Sequence, residues 1–175
     1  MKKFLVYLFL FLALPASAQM LLSPTDAMLK NYGNKSKISE EVVALTPSLV
    51  QKIQESSSVK VEAKNIQLFK ATQDGKTIGY GILLNRKIRS KNGVVLYLIS
   101  KDATLKAIEV IAFNEPLEYI PSKTWMAQFE NVKADTSLTL TKNIANITGA
   151  TLSAKSFVDG SRIALAFYDE ILKGK

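Results

Sequence analysis

The chain has 175 residues, a formal net charge of +8 at pH 7, and neither Cys nor His. Its length is typical of one domain, and an apolar fraction of 47% is enough to form a core. The missing residue types exclude disulfides, Cys nucleophiles, Ser-His-Asp triads, zinc sites built on Cys or His, haem attached through Cys, and Cys-ligated iron–sulfur clusters. A redox role would therefore need an organic cofactor.

Residues 1–18 have the pattern of a secretory signal peptide. Two lysines precede the apolar run 4–14, Pro15 ends that run, and Ala16-Ser17-Ala18 has the form of a signal-peptidase site. The run is 11 residues long, whereas a membrane-spanning helix needs about 20. No Cys is present to carry a lipoprotein anchor. We expect an exported, periplasmic protein, and membrane association of the mature chain stays open.

Residues 19–58 are predicted to form an N-terminal helical segment. Ser23-Pro24 supplies a cap and a first helical position, which predicts a helix as far as Tyr32. A second helix is predicted over residues 39–44, and a third begins at Thr46-Pro47.

Residues 59–113 change to a strand pattern. Strands are predicted at 65–71, 77–84, 93–100 and 105–113. Asp74-Gly75 is a hairpin signal. The continuous apolar run within 94–99 indicates a central strand covered on both faces. The connection 85–92 is basic and is interpreted as a solvated hairpin tip. An acidic partner or anionic lipid is the alternative, and we expect no nucleic-acid partner.

The C-terminal part ends in a long helix. Ser122 is predicted to cap a short helix over 122–129, and residues 137–147 are predicted to be extended or partly helical. Apolar and small residues then recur at helical spacing from Ala154 to Leu172, although Asp159 and Gly160 weaken the middle. The predicted fold is a single α+β domain, in which N-terminal helices and a C-terminal helix pack on an antiparallel sheet.

The stretch Thr148-Gly149-Ala150-Thr151 precedes this last helix, and two interpretations are open. The small residues let a ligand approach the backbone, and the start of a helix favours an anion such as a phosphate, which Thr151 could also esterify. Alternatively, Thr151 or Ser153 only caps the helix, and spacing alone favours this interpretation.

The segment "TGATLS" at residues 148–153 resembles the flavin-attachment motif of the FMN-binding domain family. That motif has Ser or Thr, Gly, Ala, Thr or Ser, any residue, then Ser or Thr. Residues 75–84, 92–116 and 125–129 resemble further blocks of the family in the same order. The resemblance covers residues 65–172 and identifies 59–175 as an FMN-binding domain. Two departures are Glu115-Pro116-Leu117-Glu118 in place of Glu-Thr-Pro-Gly, and Glu130-Asn131 after Gln-Phe.

The resemblance implies a set of cofactor-binding residues and no catalytic residue. Thr151 would carry FMN covalently through a phosphoester, with Thr148, Gly149, Ala150 and Ser153 completing the motif. Further flavin-binding candidates are Glu115, which the first departure calls into question, Trp125 and Gln128. A flavin ring stacked on Trp125 and a core position for it are equally compatible with the sequence, whereas Phe129 is expected in the core.

The function implied is that of an electron carrier and not of a stand-alone enzyme. Members of the family include exported subunits of sodium-pumping NADH:quinone and ferredoxin:NAD oxidoreductases. The implied partners are a flavin transferase that uses FAD and magnesium, and a membrane redox module or another electron donor or acceptor protein. The alternatives are a secreted binding module without cofactor and an FMN-dependent reductase with its own small substrate.

Overall fold

The computed structural model of the protein describes residues 19–134 and 136–174. The predicted signal peptide, residues 1–18, lies outside the described residues. Among those described, no helix combines the length and the apolar character that crossing a bilayer requires.

The described chain contains seven strands and four α-helices. The strands are β1 (Gln19–Met20), β2 (Lys37–Ala44), β3 (Asn65–Gln73), β4 (Lys76–Lys87), β5 (Asn92–Ser100), β6 (Thr104–Phe113) and β7 (Val132–Lys133). The helices are α1 (Pro24–Tyr32), α2 (Pro47–Ser57), α3 (Lys123–Met126) and α4 (Thr151–Phe167). Short 3₁₀ turns span Leu117–Tyr119 and Ala127–Phe129, and a π-helical turn at Tyr168–Leu172 extends α4.

The strands form one antiparallel sheet in the order β1-β6-β5-β4-β3-β2, with β7 also paired to β6. Helices α2 and α4 cover one face and bury the larger part of the core. Helix α1 covers the other face, where Ala27 and Met28 are fully buried. The α+β single domain is confirmed, with helices on both faces of the sheet.

Local sequence signals place α1, α2 and α3 where they were predicted. The side chains of Ser23, Thr46 and Ser122 each accept a hydrogen bond from a backbone amide in the first turn of the helix that follows. Gly33 ends α1 with a φ of 95°, a conformation that glycine adopts without strain. Strand β5 is buried along most of its length, as its apolar run predicted.

The helix predicted over 39–44 is wrong, because these residues belong to β2. This strand pairs with β3 from Lys37 opposite Thr72 to Ala44 opposite Asn65. It lies at the edge of the sheet, where most of its side chains are exposed, so it lacks the apolar alternation of a half-buried strand. Pairing with β3 therefore decides its structure.

Two loops also differ from the predictions. Strand β4 continues to Lys87 and β5 begins at Asn92, so the basic connection 85–92 is reduced to a tip at residues 88–91. The segment 137–147 is neither a strand nor a helix. Apart from an isolated bridge between Leu140 and Ile144, its described residues form turns and irregular backbone.

Helix α4 runs unbroken through Asp159 and Gly160, which were expected to weaken it. A Cβ atom added at Gly160 would clash with the hydroxyl oxygen of Tyr97, a fully buried side chain on β5. The glycine therefore allows the helix to lie close against the centre of the sheet. This contact outweighs the lower helix propensity of glycine, which is about 1 kcal/mol.

Replacing Gly160 by Ala should destabilise the protein by about 2 kcal/mol, because overpacking costs more than the gain in helix propensity. Urea unfolding followed by circular dichroism measures the change. In a Tyr97→Phe background the same replacement should cost less, since the closest atom is gone. Equal costs in the two backgrounds would contradict the proposed contact.

Candidate functional site

Helix α4 begins at Thr151 without a side-chain cap. Ala150 is the N-cap residue, with φ −133° and ψ 35°, and no side chain bonds the first turn. The interpretation that Thr151 or Ser153 caps the helix is therefore wrong. Within the described residues, the backbone amides of Thr151, Leu152 and Ser153 have no hydrogen-bond partner. Unpaired amides at the positive end of a helix dipole form an environment that stabilises an anion.

The hydroxyl group of Thr151 is at the surface. Thr151 is exposed, as is its neighbour Leu152, which is 56% exposed. The side-chain amide of Asn146 donates a hydrogen bond to Thr151 Oγ1 over 3.1 Å. This contact orients the hydroxyl oxygen and leaves its own proton available. Asn146 was not among the predicted site residues, and its position five residues before Thr151 is the only signal for it in the sequence.

The residues before Thr151 form a turn that ends at the helix. Thr148 and Gly149 are exposed, whereas Ala150 is buried. Gly149 has a φ of 78°, so a residue with a side chain would be strained there although the space beside it is open. The amide of Ala150 donates to the carbonyl of Ile147 over 3.0 Å. Gly149 thus allows the turn, and Ala150 packs under it.

Ser153 faces the interior, unlike Thr151. It is fully buried, and its hydroxyl oxygen has no hydrogen-bond partner among the described residues. Of residues 148–153, the structure therefore leaves Thr148, Gly149, Thr151 and Leu152 accessible, and it places Ala150 and Ser153 beneath them.

Trp125 and Gln128 hold the loop that leads to Thr151. The Trp125 indole donates through Nε1 to the carbonyl of Ala145 over 2.7 Å. Gln128 accepts from the amide of Ala145 over 2.8 Å and donates to the carbonyl of Trp125 over 3.0 Å. Both backbone groups of Ala145 are thereby fixed, so these two side chains set the position of the chain just before the motif.

The Trp125 ring is part of the core. It is 8% exposed, and its centroid lies 5.2 Å from that of Phe129 and 6.5 Å from that of Phe157, the latter edge-on. Phe129 is fully buried, as expected for a core anchor. Of the two interpretations of Trp125, the structure therefore shows the core position.

Glu115 binds the tip of the β4–β5 hairpin. Its carboxylate accepts hydrogen bonds from the backbone amides of Lys91, over 2.7 Å, and Ser90, and from the Ser90 hydroxyl. The Lys91 amide first, and then the Ser90 groups and the Arg89 charge, hold the pKa of Glu115 below its usual value, although burial acts in the opposite direction. Glu115 therefore fixes a loop, and its oxygens are already engaged.

The basic tip is only partly the solvated loop that was predicted. Lys87 and Lys91 are exposed, but Arg89 stacks 3.5 Å over the ring of Tyr119 and Arg86 is half-buried. The Ser156 hydroxyl donates to the carbonyl of Lys87 over 2.9 Å. This bond joins the hairpin to α4 little more than one helical turn beyond Thr151.

Comparison of the chain with protein-family models and with curated proteins gives no match in either case. The interpretation of the site therefore depends on its own residues and their arrangement.

Glu115→Gln should lower the melting temperature at pH 7 by about 3 °C, because a carboxylate that accepts amide hydrogen bonds is lost. Because the pKa of Glu115 is lower in the folded state, its carboxylate stabilises the fold fully at pH values above the unfolded-state pKa of about 4.3. This stabilisation is lost as the pH falls through the folded-state pKa. The melting temperatures of variant and parent should therefore converge in acid. The control is Glu118→Gln, an equal charge change at an exposed position. Curves that stay parallel at all pH values would contradict the role of Glu115.

Proposed function

We propose that the protein is an exported flavoprotein electron carrier in which FMN is bonded through its phosphate to Thr151. The observation that supports this most is the exposed Thr151 hydroxyl at the uncapped start of α4. A helix start of this kind favours a phosphate, and the residue types around it are those of the flavin-attachment motif.

The described residues fit a phosphate anchored at this point. The amides of the first turn of α4 have no partner among them, and Gly149 leaves open space beside the turn. Asn146 holds the acceptor oxygen in place. Trp125 and Gln128 are assigned positioning roles, because their polar groups bind Ala145.

Attachment requires a donor and a second protein. The Thr151 oxygen forms a bond to the phosphorus of the FMN half of FAD, the phosphoanhydride bond of FAD breaks, AMP leaves, and the hydroxyl proton is lost to the transferase or to water. A flavin transferase that uses FAD and magnesium would supply the catalysis. Thr151 is then a modification site and takes no part in turnover.

The attached cofactor would supply one- or two-electron exchange, and the chain would supply its anchor and orientation. The electron partners would be a membrane redox module or another donor or acceptor protein. Export is proposed from the signal-like residues 1–18, and a covalent anchor prevents loss of the cofactor outside the cytoplasm, where free FMN is dilute.

Thr151→Ala should abolish a mass gain of one FMN less water. The full chain would be produced in a bacterium that exports it and has an active flavin transferase, and intact mass would be measured after denaturation. The control Thr151→Ser keeps a hydroxyl and should keep the adduct. A colourless, unmodified parent protein would overturn the proposal and favour a cofactor-free binding module.

Asn146→Ala should slow flavin attachment about tenfold, because the acceptor oxygen loses the group that orients it. Its melting temperature should stay within about 2 °C of the parent, since the bond is exposed. The initial rate of adduct formation with purified transferase, FAD and magnesium measures the effect. An unchanged rate would show that Asn146 has no part in positioning Thr151.

A further inference from the structure

The sheet opens between β3 and β4 at one end. Their pairing stops at Gln67 opposite Leu83. Beyond that point β3 continues beside β2 to Asn65, and β4 continues beside β5 to Lys87. In the part of the chain that the structure describes, residues 84–87 therefore have a strand on the β5 side alone.

A groove of about 1010 Å³ occupies this opening. Its walls are the irregular segment 58–64, the end of β4 and one side of α4, represented by Lys155, Asp159 and Arg162. The volume is at the upper end of the range for ligand-binding clefts. An open strand edge inside a long groove presents backbone N–H and C=O groups at alternate residues, which an added strand can pair with.

The groove is basic. Its lining contains six basic side chains, namely Lys60, Lys64, Arg86, Lys87, Lys155 and Arg162. The acidic side chains that line it are Glu62 and Asp159. Both are already paired, Glu62 with Lys60 at 2.8 Å and Asp159 with Lys155 at 2.6 Å.

Three of the six cations form no ion pair within residues 19–134 and 136–174. Lys64 and Lys87 are exposed, and Arg162 is half-buried. Arg86 Nη2 is 3.9 Å from Asp159, while its Nε is buried without a hydrogen-bond partner among the described residues.

We propose that this groove binds an extended acidic segment of a partner protein, which adds as a strand to residues 84–86 of β4, because the Lys87 carbonyl already accepts a hydrogen bond from the Ser156 hydroxyl. The backbone edge accounts for an extended ligand, and the excess of basic side chains accounts for its acidic side chains. The proposal does not depend on a flavin at Thr151. Lys155 follows Thr151 by one helical turn, so the bound segment would lie next to that residue.

The test uses the full chain and a fluorescein-labelled peptide of alternating Glu and Val, about eight residues long. Fluorescence anisotropy should show binding that weakens as salt is raised, because screening acts on the charged groups. A Lys-Val peptide of equal length should bind at least about tenfold more weakly. A Glu-Val peptide that is N-methylated along the edge facing β4 should also bind at least about tenfold more weakly, because methylation removes the backbone donors.

The variant Lys64→Glu/Lys87→Glu should weaken binding of the acidic peptide at least about tenfold. Its control is Lys70→Glu/Lys76→Glu, an equal charge change at exposed lysines of β3 and β4 outside the groove, which should stay within about twofold. Amide hydrogen exchange should slow at Asn85 when the peptide binds, because the Ile88 amide bonds Lys91 on the β5 side and alternation then turns the Asn85 amide to the open edge.

Three results would overturn the proposal. One is no binding of the acidic peptide at about 1 mM, the weakest affinity worth considering. Another is equal weakening by the two double variants. The third is that tripolyphosphate binds as tightly as the acidic peptide and that N-methylation of the peptide does not weaken its binding, because the groove would then be a phosphate site.

Discussion

The close approach of α4 to the centre of the sheet is the constraint on which the rest of the structure depends. At Gly160 the helix lacks a side chain, and the Tyr97 hydroxyl fills that space. The buried side of α4, with Phe157 and Phe167 fully inside, fixes the rotation of the helix about its axis. With that rotation set, Thr151 is left exposed at the helix start and Lys155 faces the groove. The positions of both proposed binding surfaces are therefore consequences of one packing arrangement.

Most elements of the fold follow from short-range signals that the sequence displays. Ser23-Pro24 and Thr46-Pro47 begin helices, and Asp74-Gly75 makes the β3–β4 turn. The misassigned segment 39–44 shows the limit of such signals. Its Glu and Val residues satisfy no strand period because neither side of an edge strand is well buried, and only pairing with β3 makes it a strand. Likewise, no local signal indicates that the pairing of β3 with β4 ends at Gln67 and Leu83.

The candidate site shows the same difference between features that the sequence displays and contacts that only the fold reveals. Thr151 could be singled out because residues 148–153 resemble the flavin-attachment motif, whereas the local pattern of small residues before a helix favoured a helix cap by itself. Trp125 and Gln128 could be selected as unusual residues, but their partner could not, since indole and amide groups bind a backbone carbonyl as readily as a ligand. Glu115 bonds to a loop 24 residues earlier at Lys91, a contact that residue type does not reveal. The sequence thus allows these residues to be singled out, whereas their hydrogen-bond partners require the fold.

The exposure of Thr151 bears on how a cofactor could be held there. A ligand bound without a covalent bond needs most of its surface buried. The accessible residues around Thr151 include Asn146, Thr148, Gly149 and Leu152, which lie on the surface of the domain, and none of them lines the large groove. Such a position suits a group tethered by a bond, because the bond supplies the retention that contacts do not. It also leaves a tethered ring accessible to another protein, which electron exchange between proteins requires. The proposed attachment point and the basic groove beside it are therefore mutually consistent, since one surface would carry the redox group and its neighbour would hold the partner.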